Sequence, residues 1–390
     1  MEKKLHIIYL PLERYRERYT WQMAAPIWGW LERNWIRHSI PYTRIDGGII
    51  TKSLTGEERS VAPPIKDGVA LDARVRCTWA MQQIARLLEI FDDLDPEKHV
   101  IWIDDFWHPG IESLAYVMHL KNKWIPMYAH CYAQSVDVFD FTYPMRHWIR
   151  HFEKGIGTIL SGIFVASSEL RDLCIYAGIG TKETVHVTGH FFNSRQVKEW
   201  WPDTLPIKEK RVVYSSRWDK EKDPLFFLAV AEKVFKERKD ITFAISTSAP
   251  QLRTNDPRLF KELVTFMLSF PALHIYTDMS KKGYYNLLLS SAMQFNCANQ
   301  DWVSYTLLEG TMCGCRPVYP YFRSFPEAIT NPKYMYVKGD VHSAARNIID
   351  NIDEASRLNR NNYDSEYLDI YGWHDSSWWR AYKIMLENCK

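Results

Sequence analysis

Short apolar runs recur along this chain, separated by longer amphipathic segments, and this alternation constrains the fold more than any other feature. "LHIIYL" (5–10), "YTRIDGG" (42–48), "HVIWIDDFW" (99–107), "WIPMYAHCY" (124–132) and "TVHVTG" (184–189) read as strands. Between them, the segments 19–37 and 76–94 carry apolar residues at helical spacing. "GIFVASSELRDLCIYAG" (162–178) reads as strand, serine cap, helix and glycine stop. "WWPDTLPIKEK" (200–210) breaks the rhythm and reads as a linker. The alternation then restarts, with strands at 211–216, 241–247, 273–280 and 292–299 and helices at 223–240 and 283–291. Strands and helices in this order build parallel sheets from βαβ units. Two such runs predict two doubly wound α/β domains, with the ligand expected at the carboxyl ends of the strands, in the crevice between them. No GxGxxG follows a strand and no GxxxxGK[ST] occurs, which excludes the usual dinucleotide and P-loop sites.

The composition fits that reading. In 390 residues, 46% are apolar and 25% charged, as in a globular protein with ample core. The net charge of +2 does not announce a nucleic-acid binder, although a local basic patch is compatible with it. Sixteen Trp and 22 Tyr favour ligands with flat faces, such as sugars and bases, besides packing the core. Seven scattered cysteines with no CxxC pair point to free thiols in a reducing compartment. The apolar run at the start is too short for a secretory signal, so the expected location is the cytoplasm.

Two stretches of the second half carry chemistry. In "YSSRWDKEKDP", Arg217 and Lys222 lie between a strand and a helix, just after Ser216. Two cations beside a helix start suit a diphosphate, with the exposed charged loop as the alternative. In "DWVSYTLLEGTMCGCRPVYP" (301–320), Asp301 precedes a helix start and Glu309 lies one turn inside it. Backbone amides at Ser304, Tyr305 and Thr306 suit phosphate oxygens, Glu309 suits the paired hydroxyls of a ribose, and Asp301 suits sugar hydroxyls. Gly310 and Gly314 suit a helix lying close on the sheet. A capped helix with Asp301 at the surface is the plainer alternative.

Taken together, the Arg217/Lys222 pair and the acid-x7-acid motif Asp301 to Glu309 resemble the donor half of GT-B glycosyltransferases, especially the GT4-like retaining group. That resemblance implies two Rossmann-like domains facing a central cleft. It also implies a nucleotide-sugar donor, most simply a UDP-sugar, with no metal or other cofactor required. The sequence departs from the family in three places: Asp301 stands for the usual Glu, Ser304 for a glycine, and "GCRPV" (314–318) has one extra residue before its proline. The expansion, the histidine of "MYAHCY" and "HDSSW" (374–378) are similar to the phage DNA α-glucosyltransferases. The resemblance implies a retaining transfer to a 5-hydroxymethylpyrimidine base in DNA; transfer to a carbohydrate or glycan is the alternative, and a silent sugar- or nucleotide-binding protein of the same fold a third.

On this resemblance Arg217, Lys222, Asp301 and His130 form the catalytic set, and His130 lies near the reacting sugar. Asp137 and Asp140, in the loop after His130, are candidates for a base or for turn caps. Asp104, Asp105 and His108 end another strand without the spacing of a known metal site. For a DNA acceptor, basic and aromatic residues cluster twice: Arg14, Arg16 and Arg18 with Tyr15, Tyr19 and Trp21, and Arg146, Arg150 and Lys154 on one helix face. Residues 1–203 are the expected acceptor-side domain and 204–370 the donor domain. Residues 371–390 are the expected helix crossing back to the first domain. The oligomeric state is left open.

Overall fold

The computed structural model describes residues 5–13, 30, 31, 33, 39–47, 73–132, 134–140, 142–192, 194–247, 249–252, 254, 256–302, 304–329, 331–357 and 375–388. The chain divides into two compact units, Met1–Phe192 with Asp375–Lys390, and Asn193–His374. Most of the helix expected over 19–37, and Arg14, Arg16 and Arg18, lie outside the described residues.

In the first unit the strands are β1 (His6–Leu10), β2 (Tyr42–Arg44), β3 (His99–Ile103), β4 (Met127–His130), β5 (Gly162–Val165) and β6 (Val185–Val187). They form one parallel sheet in the order β2-β1-β3-β4-β5-β6. Helices α1 (Ala73–Glu89), α2 (Ile111–Leu120), α3 (Arg146–Ile159) and α4 (Ser168–Tyr176) belong to this unit. The central strands are buried along almost their whole length, which is why they read as unbroken apolar runs. α4 starts as its sequence predicts: the Ser167 hydroxyl accepts from the Leu170 amide at 3.2 Å.

The second unit opens with α5 (Ser194–Glu199) and then builds β7 (Glu209–Tyr214), α6 (Pro224–Glu237), β8 (Thr242–Ser246), α7 (Pro257–Ser269), β9 (Leu273–Tyr276) and α8 (Lys281–Leu289). It continues with β10 (Ser291–Phe295), α9 (Tyr305–Met312), β11 (Arg316–Pro320), α10 (Phe325–Ala328), β12 (Met335–Tyr336) and α11 (Val341–Arg357). The strands again form one parallel sheet, in the order β12-β11-β10-β7-β8-β9. The doubly wound α/β architecture expected from the alternation is therefore present twice. Helices α2, α7 and α11 are not among those expected from the sequence, although Asp256 caps α7 and Asp340 accepts from the His342 and Ser343 amides at the start of α11.

The last helix, α12 (Asp375–Asn388), returns to the first unit. Its Trp378, Ala381, Tyr382 and Met385 are part of that unit's core, with Tyr9, Trp102, Tyr128 and Phe164. Trp378 lies 4.1 Å from the Phe191 ring and stacks at 5.9 Å on Trp30. A separate apolar core fills the second unit between β7, β8, β10 and helices α6 and α11. Among the described residues no helix is long and apolar enough to cross a membrane.

Candidate functional site

In a doubly wound sheet, the crevice opens at the carboxyl ends of the two strands between which the chain reverses direction. In the second unit those strands are β7 and β10, and the sequence motifs follow them directly. After β7 the chain makes a short turn, Lys220–Lys222, and Asp223 then enters the left-handed region with φ 52° to start α6. After β10 it runs through Asn299–Trp302 into α9. The two connections are tied together: the Asn299 amide donates to the Glu221 carbonyl at 2.8 Å.

Lys222 and Asp301 meet in this connection. The Lys222 ammonium donates to the Gln300 carbonyl at 2.8 Å and lies 3.5 Å from Asp301 Oδ2. Both side chains are largely covered, at 13% and 19% exposed. Arg217 is different. Its side chain is 62% exposed and is held by Asp219 at 2.9 Å and Glu221 at 2.5 Å. A dianionic ligand would draw the Arg217 guanidinium from these acids and meet Lys222 in place. Ser216 precedes Arg217 and is half-buried.

α9 begins at the same end of the sheet, so its N-terminal amides and the positive end of its dipole lie there. Ser304 is its cap: the hydroxyl accepts from the Leu307 amide at 3.2 Å and lies 2.9 Å from the Thr306 hydroxyl. Tyr305 opens the helix. Glu309, one turn inside, is buried at 2% exposure. Its Oε1 accepts from the Tyr285 hydroxyl at 2.8 Å and from the Lys281 ammonium at 3.0 Å. Burial, and then the Glu309 charge, push the Tyr285 phenol far above its ordinary range, so it stays a donor. Nothing in the sequence signals Lys281 or Tyr285, since 283–291 reads only as a helix. Pairing with an acid in another helix leaves no local spacing signal.

The two glycines of this segment act differently. A Cβ on Gly310 would lie 2.1 Å from Gln294 Oε1 on β10, so this glycine permits the close helix–sheet approach expected of it. Gly314 has φ 76° and instead turns the chain out of α9 toward β11.

In the first unit the chain reverses between β1 and β3. His130 ends β4 and is 2% exposed. Trp102 donates its indole N–H to His130 Nε2 at 2.9 Å. That nitrogen is an acceptor, so the proton of the neutral ring resides on Nδ1. Burial, and then the neighbouring His190, hold the His130 pKa well below its usual value. It is a neutral hydrogen-bonding group at physiological pH.

Asp104 directly follows β3 and is fully covered. One carboxyl oxygen accepts from the Tyr9 hydroxyl at 3.2 Å and the Leu12 amide at 3.3 Å. Burial raises its pKa to about 7. Arg76 spans Glu13 at 2.6 Å and Asp105 at 2.8 Å. His108 bonds Gln83 at 3.0 Å, and burial lowers its pKa to about 3. These contacts make the Asp104–His108 segment a packed polar network.

The loop after His130 is built from turn caps. Asp137 Oδ1 accepts from the Phe139 amide at 3.0 Å, and Asp140 Oδ1 accepts from the Thr142 amide at 2.8 Å. Burial raises the Asp140 pKa to about 6. Arg146, Arg150 and Lys154 all lie on the exposed side of α3. Trp148, 51% exposed, is on the same helix, and Arg146 sits 4.1 Å above the Tyr143 ring.

No known family profile matches the sequence. Solved structures do match the fold. Sucrose-phosphate synthase from Thermosynechococcus elongatus is similar over 99% of this chain and 94% of its own, with a TM-score of 0.63 and 10% identity. HepE of Anabaena, in complex with UDP and glucose, is similar over 98% of this chain and 99% of its own, with a TM-score of 0.60 and 11% identity. A mutant of S. aureus TarM, in complex with Fondaparinux, alpha-GlcNAc-glycerol and UDP, matches 75% of this chain at a TM-score of 0.51 and 13% identity. The chain spans only 57% of the length of that TarM chain. At these identities the likeness is one of architecture, and two doubly wound parallel sheets matching these proteins are the GT-B fold.

Proposed function

We propose that the protein is a retaining glycosyltransferase that takes its sugar from a nucleoside-diphosphate donor, with UDP as the nucleotide. The observation that carries this reading is the meeting of Lys222 with Asp301 at the switch point between β7 and β10, beside the N-terminus of α9. Lys222, Arg217 and the α9 amides near Thr306 take the diphosphate, Glu309 takes the ribose, and Asp301 takes hydroxyls of the sugar. The bond from the anomeric carbon to the diphosphate breaks while the acceptor oxygen bonds to that carbon on the same face, and the acceptor's hydroxyl proton passes to the departing diphosphate oxygen. The charge that develops on the leaving diphosphate meets Lys222 and the α9 amides already in place, and Arg217 once it is drawn from its acids. UDP in complexes of HepE and TarM, which share the fold, supports the choice of nucleotide.

For the acceptor we propose a 5-hydroxymethylpyrimidine in DNA. The exposed cations of α3, Arg146, Arg150 and Lys154, offer phosphate contacts on one helix face. A carbohydrate acceptor is the second reading, supported by the complex of HepE with UDP and glucose. The test incubates the purified full chain with UDP-sugars and one of three acceptors: plain DNA, DNA containing hydroxymethylated pyrimidines, or simple glycans. Digested products are then weighed by mass spectrometry. Hexose- or pentose-sized gain on the modified base supports the DNA reading. Gain on glycans alone replaces it with the second, and absence of UDP binding refutes the donor site.

A further inference from the structure

Among the described residues of the second unit, three non-glycine residues occupy the left-handed region at the carboxyl ends of its strands: Asp223 after β7, Asp278 after β9 and Arg323 after β11. Aspartate tolerates this region because its short polar side chain bonds locally. Arginine has no such relief, and at φ 53° its Cβ crowds the backbone where glycine would not. A costly conformation held in place at the mouth of a sheet points to a task for the side chain.

The Arg323 side chain turns toward the loop that carries Asp301. Its guanidinium lies 5.4 Å from the centre of the Trp302 ring, and its Nε donates to the Asn299 carbonyl at 3.3 Å. The next residue joins in, with the Ser324 hydroxyl donating to the Asp301 carbonyl at 3.3 Å. From the β7 side, Lys222 holds the Gln300 carbonyl at 2.8 Å. Three consecutive carbonyls, of Asn299, Gln300 and Asp301, are thus gripped from two directions.

We infer that Arg323 is a positioning residue that clamps the Asn299–Trp302 segment and so fixes where the Asp301 carboxylate meets the donor sugar. The inference rests on the donor-site reading above, because the clamp matters to catalysis only if Asp301 touches the sugar. It assigns Arg323 to recognition of the sugar half of the donor, and leaves the nucleotide half to Glu309 and α9. Trp302, 5% exposed, is the platform that keeps the guanidinium in place.

The test compares the full-length protein with Arg323→Gly and Arg323→Lys. Glycine accepts the backbone conformation, so folding is retained and the loss is confined to the side chain. Hydrogen exchange of the 299–302 amides is expected to quicken about tenfold or more in Arg323→Gly, while β10 amides keep their rates. By calorimetry, affinity for UDP-glucose falls about tenfold while affinity for UDP changes by less than about twofold. Arg323→Lys, which keeps a cation over Trp302 but loses the planar fork, falls between. Unchanged exchange at 299–302, or equal loss of UDP and UDP-glucose affinity, overturns the inference. If the unaltered protein binds neither ligand, the donor reading fails, and the exchange rates still decide whether the clamp exists.

Discussion

Lys222 and Arg217 show how differently two cations of one motif are prepared. Lys222 is covered, and its ammonium is already aimed by the Gln300 carbonyl, whereas Arg217 stands in solvent between two acids. The pre-placed group contributes more to the step in which charge builds on the leaving diphosphate, since it needs no rearrangement. Lys222→Ala is expected to lower kcat about 10²-fold, read as single-turnover consumption of UDP-sugar, and Arg217→Ala to cost less. Equal losses would remove the distinction. Asp104 gives a pH signature. Its folded pKa of about 7 lies above the ordinary carboxylate value, so the folded state holds a proton that the unfolded chain releases near pH 4. Stability therefore falls as pH rises from about 4 to about 7, by up to about 4 kcal/mol. In Asp104→Asn the amide oxygen keeps the bonds from Tyr9 and Leu12, and that slope disappears. Thermal melts at pH 5 and pH 8 should show the variant gaining on the parent at pH 8. A parent whose melting temperature does not fall over that span would contradict the assignment.

At the scale of the element, α9 is held by its glycines in two ways, and substitution separates them. A Cβ at Gly310 collides with Gln294, which already accepts from the Tyr319 hydroxyl at 3.1 Å and is buried. Either Gln294 gives up that bond or α9 moves outward and carries Glu309 away from Tyr285. Gly310→Ala should cost about 1–3 kcal/mol and weaken UDP binding. Gly314→Ala meets the left-handed penalty, about 1–2 kcal/mol, and should leave UDP affinity intact. Melting curves and UDP titrations of the two variants check this; weakened UDP binding in both would show that α9 is set by its exit turn instead. The alternation of runs made both sheets legible, because parallel strands buried on both faces are mostly apolar, with single polar residues such as His130, Gln294 and Arg316 among them. Strand order was not legible, since nothing local tells β10 to lie against β7. The same limit governs the site. Arg217 and Lys222 stood out by spacing, but the grip of Lys222 on Gln300, of Tyr285 on Glu309 and of Arg323 on Asn299 joins residues distant in sequence.

At the scale of the whole molecule, the chain ends by returning to the core it began. Trp378 is 1% exposed and packs between Phe191, Trp30 and Trp102, so α12 completes the first unit's interior. The second unit fills its own core from residues between Val212 and Ala355. Two interiors with no shared residues should melt as two events, because cooperativity follows the packed core. Trp378→Ala removes a buried indole and should destabilise the first unit by about 3–5 kcal/mol. On the proposed donor site, UDP would bind the folded second unit and should raise the second transition alone, by an amount that grows with the logarithm of its concentration. Differential scanning calorimetry of parent and variant, with and without UDP, resolves the two effects. One transition must move down with the tryptophan and the other up with the ligand. If the substitution drags both down together, the two cores fold as one cooperative body, and α12 then supports the donor site as well as the interior it fills.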